Sequence, residues 1–264
     1  MTCYETGPYA CRTGETPKPV VWPYACQPYY VNEIGTSNAD TPAGLSDDLL
    51  DAVKLSFEEW NQVGCSRMQM NFGGRTDVTE ARFNQGPGAQ NLNLVVWREE
   101  NWNQVASNST FALTSVSYNP NTGEIADADI EINAEIYTIS VVDPVEANAV
   151  DLRNTLVHEI GHFIGLDHTP VEEATMYRSA DIGETEKRTL HQDDIDGICH
   201  IYPASEIGAS ACDEPPEDVR CVNCDDDDNG GCCATTPAPA PTGLAWLIGA
   251  GGLLLAAGWR RRRF

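Results

Sequence analysis

The strongest constraint on this chain is an eleven-residue stretch, H-E-I-G-H-F-I-G-L-D-H, at positions 158–168. His158 and His162 are four apart, so on a helix they stand one above the other on the same face and both imidazoles can reach one ion. Glu159 is turned about 100° away from His158 by helix geometry, which puts a carboxylate beside the ion without making it a ligand. Gly165 can adopt the positive φ that ends a helix and reverses the chain. That reversal returns His168 as a third ligand. Three protein ligands leave the fourth position of a tetrahedral zinc open to water, the arrangement of a catalytic site and not a structural one.

A lone histidine on an apolar helix is more often a satisfied core residue, and H-E-x-x-H also arises by accident in unrelated helices. Here the glycine and the third histidine both fall where the chemistry requires them. At these residues the chain resembles the metzincin class of zinc endopeptidases. That class carries a methionine turn downstream, and Ala174-Thr175-Met176-Tyr177 matches it. The resemblance implies that Met176 forms an apolar floor under the histidines without ligating the metal.

A length of 264 residues allows one sizeable core plus tails. The divisions read from composition are an N-terminal segment at 1–19, a catalytic domain at 20–203, an acidic Cys/Pro-rich linker at 204–241 and an apolar tail at 242–264. A formal net charge of -24 argues against nucleic acid or an anionic membrane surface as a partner. The ten cysteines show no zinc-finger spacing with histidines, so disulfides in an oxidising compartment are expected. Their pairing does not follow from one sequence. Residues 1–19 contain no basic segment followed by an apolar core, so no secretory signal is visible, and a truncated or mis-assigned start is the preferred reading.

In chain order, 29–32 reads as a first strand. Ser46 caps a helix whose apolar residues Leu49, Leu50, Val53, Phe57 and Trp60 recur at helical spacing. Strands follow at 68–72, 91–97 and 111–118. Residues 125–133 alternate strictly, with Ala126, Ala128, Ile130 and Ile132 on one side and Asp127, Asp129 and Glu131 on the other. That carboxylate row reads first as a solvated face, with a calcium site as the alternative. The motif helix has two candidate starts. Asp143-Pro144-Val145-Glu146 looks like a capping box, but Asp151 is preferred because Leu152, Leu156, Ile160 and Phe163 begin a continuous apolar pattern there. Residues 191–202 form a last short helix, stopped by Pro203.

This order of elements resembles the matrixin branch of the metzincins. Beyond the zinc motif, the resemblance rests on G-E-I-A-D-A-D-I at 123–130 and Q-D-D-I-D-G-I at 192–198, and it covers roughly 20–203. It implies an α+β, zincin-like domain in which a twisted mixed five-stranded sheet and three main helices surround a cleft. It also implies one catalytic zinc on His158, His162 and His168, with Glu159 as general base. A polypeptide substrate would lie extended along the edge strand at 111–117. Asp193 and Asp194 are candidates to brace the methionine turn from the last helix, with ordinary surface charge as the alternative. Three departures stand out. No histidine precedes His158, so the structural zinc of the collagenases and their relatives is not expected. Cys11-Arg12-Thr13-Gly14 does not match the family's latency motif. Arg178 follows Tyr177 where matrixins usually have proline, which also rules out the extra tyrosine ligand of the astacin type.

The tail carries Cys212, Cys221 and Cys224 among Pro, Glu and Asp, a composition too polar to build a core alone, so it reads as a disordered linker. Residues 243–259 are nearly all apolar and are followed by four arginines, Arg260 to Arg263. The apolar run sits at the lower limit of about 17 residues for a membrane-spanning helix. Its basic end would put the C-terminus in the cytoplasm and the catalytic domain outside. The pattern resembles the C-terminal surface-sorting tails of myxobacterial proteins, in which Cys232 or Cys233 would be the processing or lipid-attachment site. The expectation is an exported, monomeric zinc endopeptidase anchored at the cell surface. Its rival is a non-catalytic surface adhesin or binding module on the same fold, against which the intact Glu159 argues.

Overall fold

The computed structural model describes residues 19–84, 91–146, 148–206 and 260–263. The first helix, α1 (Asp47–Asn61), starts where Ser46 accepts a hydrogen bond from the Leu49 N–H, and its apolar residues are buried as the spacing requires. Phe57 stacks on Tyr29 at 3.6 Å and meets Phe163 edge-on at 5.7 Å. The Trp60 indole donates to the Val157 carbonyl at 2.8 Å. These contacts hold α1 along the motif helix, α2 (Leu152–Phe163).

Five strands make the main sheet: β1 (Cys26–Asn32), β2 (Gln69–Thr76), β3 (Leu94–Arg98), β4 (Ala112–Tyr118) and β5 (Ile125–Asn133). Their order is β2-β1-β3-β5-β4. The neighbours are parallel except for β4, which runs antiparallel to β5. The expected α+β fold with a mixed five-stranded sheet and three helices is what the chain forms. The third helix, α3 (Gln192–Ile201), begins at His191 with a capping box closed by Asp194.

Several boundaries differ from the sequence reading, each for a local reason. β2 runs past the expected end at 72 through Gly73 and Gly74 to Thr76. Gly73 is the residue that the β1–β2 pairing skips, and a Cβ on it would lie 2.6 Å from the Tyr30 ring. Two short strands, β6 (Thr138–Ser140) and β7 (Ala149–Asp151), pair in parallel, and neither has enough alternation to be seen in sequence. The preferred helix start is the observed one, since the Asp151 carboxylate accepts from the Asn154 N–H at 2.6 Å.

The expected solvated carboxylate face is corrected. Asp127 and Asp129 are 0% exposed and Glu131 is 3% exposed. β5 lies between β3 and β4, and both of its faces are covered. Arg98 donates to Glu131 at 2.6 Å, and Asp129 accepts from the Leu94 N–H at 3.2 Å. Alternation shows that two faces differ; it does not show that one is wet.

A disulfide joins Cys65 to Cys199 and ties the end of α1 to α3 across 134 residues, and Cys26 is disulfide-bonded as well. Among the described residues no helix is long and apolar enough to cross a membrane. The apolar run at 243–259 and the cysteines Cys232 and Cys233 lie outside the described residues. Arg260–Arg263 form β8, antiparallel to β4 and facing Ser115 to Tyr118. The sequence reading put these arginines beyond a membrane, whereas in the structure they extend the catalytic sheet.

Candidate active site

The site is built on the second half of α2 and the turn that ends it. Gly165 has φ of 98°, and its N–H bonds to the His162 carbonyl while the Leu166 N–H bonds to the Gly161 carbonyl, both at 2.9 Å. This pair of bonds is a Schellman ending, and it turns the chain so that His168 comes back towards His158 and His162. A side chain at Gly165 would also strike the Val20 carbonyl. Two aromatic donors cap the remaining helix-end carbonyls, Trp22 on Phe163 at 2.9 Å and Tyr202 on Ile164 at 2.8 Å.

The three imidazoles converge through Nε2. His162 Nε2 lies 3.1 Å from His168 Nε2, which lies 3.3 Å from His158 Nε2. The Nδ1 atoms of His158 and His162 face the carbonyls of Thr175 at 2.6 Å and Leu166 at 2.9 Å. A carbonyl only accepts, so both Nδ1 atoms carry the proton and both Nε2 atoms present lone pairs. Burial pushes the His158 pKa down to about 3, moves His162 well below its ordinary value and lowers His168, so the rings are neutral near pH 7. Neutral lone pairs aimed at one another repel unless a cation sits between them. Nitrogens about 2.0–2.1 Å from a tetrahedral zinc stand roughly 3.3–3.4 Å apart, so the observed separations fit that ion. Among the described residues this triad is the one group of potential ligands gathered in this way.

Glu159 is 6% exposed. Burial pushes its pKa up to about 7, against a lowering contribution from the hydroxyl of Thr114 on β4. That hydroxyl lies 2.6 Å from Glu159 Oε2 and 3.0 Å from the Glu159 backbone oxygen. Thr114 was not legible in the sequence. It sits 45 residues before its partner, and in sequence it is one of several hydroxyl residues on a strand that also carries Ser115, Ser117 and Tyr118.

Met176 is buried beneath the triad, at the position the turn was expected to give it. Its sulfur packs so closely on α2 that a Cβ at Gly161 would fall 2.1 Å from it. This contact accounts for the glycine between the first two histidines. Asp194 fixes the turn: its two oxygens accept from the N–H groups of Thr175 at 2.8 Å and Met176 at 3.0 Å, and Oδ2 also accepts from His191 at 2.9 Å. Asp193 does not reach the turn. It is exposed in the first turn of α3, where its backbone N–H meets the His191 ring.

A cleft of about 360 Å³ opens beside the triad between β4, the first turn of α2 and the segment 177–180. Its lining includes His158, Glu159, Asn154, Thr155, Arg178 and Lys187. Lys187 was not singled out in the sequence. It is 5% exposed, and its ammonium holds the carbonyls of Tyr177 and Ser179 while facing Glu184 at 3.4 Å.

The three-histidine helix, its glycine turn and the methionine turn on a mixed sheet define a metzincin architecture. The matrixin family model matches residues 46–203, and the chain belongs to that family. It is similar to metalloendoproteinase 5-MMP of Arabidopsis thaliana, with 36% identity over 88 residues covering 33% of this chain and 22% of the relative. Metalloendoproteinase 1 of Glycine max is 39% identical over 79 residues, 29% of this chain and 26% of that protein. Neutrophil collagenase of Homo sapiens is 26% identical over 165 residues, 62% of this chain and 31% of its own length. The chain therefore spans between 22% and 31% of the length of these curated relatives.

Proposed function

We propose that this protein is a zinc-dependent endopeptidase acting on extracellular polypeptides. The observation that carries the reading is the convergence of three imidazole Nε2 atoms next to the buried carboxylate of Glu159. His158, His162 and His168 would hold one zinc, which when bound acidifies a water and polarises a carbonyl. Thr114 occupies Glu159 Oε2, so Oε1 is left to accept the proton of the attacking water and return it to the leaving amine. A pKa near 7 suits both halves of that transfer.

The substrate would add as a strand to β4, pairing through its backbone. β8 covers Ser115 to Tyr118 and stops short of Ala112 to Thr114, the part of the edge nearest Glu159. The test is hydrolysis of casein or gelatin by the full chain, with and without a chelator. Activity should vanish on chelation, return with zinc and be absent in Glu159→Ala. Equal cleavage by wild type and Glu159→Ala would sink the reading.

Export and surface retention through Cys232 or Cys233 belong to the same proposal, supported by the cysteine, spacer, apolar run and arginine pattern. Membrane fractionation of wild type and the Cys232→Ser/Cys233→Ser double variant decides it, since unchanged retention removes the cysteines' role. Spanning by 243–259 and pairing of 260–263 with β4 exclude one another within one molecule.

A further inference from the structure

The cleft beside the triad carries hydrogen-bond donors that the fold does not use. Asn154 and Thr155 stand in the first turn of α2, 3% and 7% exposed, and both line the cleft. Asn154 Oδ1 accepts from the Lys187 N–H at 2.8 Å, which turns its amide so that the Nδ2 donors have no protein partner among the described residues. The buried Thr155 hydroxyl likewise makes no hydrogen bond there. A buried hydroxyl without a partner costs stability, so a group that completes it on binding is favoured. Arg178 is exposed at the rim with no carboxylate paired to it among the described residues. Of the carboxylates nearby, Glu184 faces Lys187, and Glu159 holds the Thr114 hydroxyl through Oε2.

Chain direction says which substrate residue enters this cleft. A strand added antiparallel to β4, as β8 is, runs from Tyr118 towards Ser115 and on towards the Ala112 end. The cleft is lined by Phe111 and Ala112 at that end and by His158 and Glu159 at the other. It therefore receives the side chain that follows the scissile bond.

Resting on the peptidase reading above, we propose that this cleft selects a substrate residue with a hydrogen-bond-accepting, preferentially acidic side chain, glutamate or aspartate, immediately after the cleaved bond. Asn154 and Thr155 donate to it from the floor, and Arg178 supplies the opposite charge at the rim. An apolar side chain would leave the Thr155 hydroxyl and the Asn154 amide buried without partners, the situation in which a polar site rejects an apolar analogue strongly.

The experiment compares quenched fluorescent peptides that differ only in that residue, Glu, Gln or Leu, with the zinc-loaded full chain. The expected kcat/KM for Glu exceeds that for Leu about tenfold, with Gln between them. Arg178→Ala should bring Glu down to the level of Gln, and raising the salt should do part of the same to wild type. Thr155→Val should narrow the gap between Gln and Leu. Because each result is a ratio within one enzyme preparation, a partly folded variant does not distort it. Leu cleaved as fast as Glu by wild type overturns the subsite assignment while leaving the peptidase reading intact. Cleavage of none of the three, with casein also untouched, overturns both.

Discussion

The two halves of α2 face the same cleft and are built on opposite terms. From His158 to Phe163 the polar groups are committed: both ring Nδ1 atoms meet carbonyls, Glu159 meets Thr114, and the helix-end carbonyls meet Trp22 and Tyr202. One turn earlier, Asn154 and Thr155 are as deeply buried but keep donors without protein partners among the described residues. The committed half has the fixed geometry that the proposed chemistry, common to every substrate, requires. On the proposed reading, the uncommitted half is where a substrate side chain completes the bonding. On that reading, machinery and selectivity are separated by a single helical turn.

Breaking the committed half should have the largest effect. Glu159→Gln keeps the shape and the Thr114 contact but removes the base, and should lower kcat by about 10²–10⁴-fold with zinc still bound. Asp194→Ala removes the acceptors of two N–H groups in the turn, those of Thr175 and Met176, and the His158 ring donates to the carbonyl of that same Thr175. Zinc affinity should fall by about 10–100-fold, read by competition with a chromophoric chelator. Opening the Cys65–Cys199 bridge with Cys65→Ala/Cys199→Ala acts on the scaffold under both halves. It should cost about 2–5 kcal/mol in denaturant unfolding while leaving the triad's geometry in place. The smallest effect is expected far from α2, at Glu99, which accepts hydrogen bonds from Ser37 and Thr36 and whose pKa they lower. Because its folded pKa lies below the unfolded one, its contribution is present above about 4.5 and is lost as the pH falls through the lowered value. Glu99 is mostly exposed, so Glu99→Gln should cost less than about 1 kcal/mol at neutral pH and flatten the acid limb of the stability profile.

How much was legible in the sequence follows the same division. The committed half was readable because the candidate ligands, the candidate base and the glycine turn lie within eleven consecutive residues, where helix geometry and one helix-ending turn fix their relations. Met176 was readable because its turn is a contiguous motif. Thr114 and Lys187 were not, since they reach the site from β4 and from beyond the methionine turn through contacts that no local periodicity records. The carboxylate row on β5 misled for a related reason: whether a face is wet depends on what the rest of the chain lays over it. β2 was cut short because the alternation ends at Phe72, although the strand continues past Gly73, where a Cβ would crowd the Tyr30 ring.

The whole comparison depends on the triad being a metal centre. The most direct measurement is the zinc content of the purified, folded full chain, alongside His158→Ala/His162→Ala. The account predicts one zinc per wild-type chain and none in the double variant. A wild-type chain that stays folded yet takes up no zinc, or a double variant that retains it, would contradict the assignment.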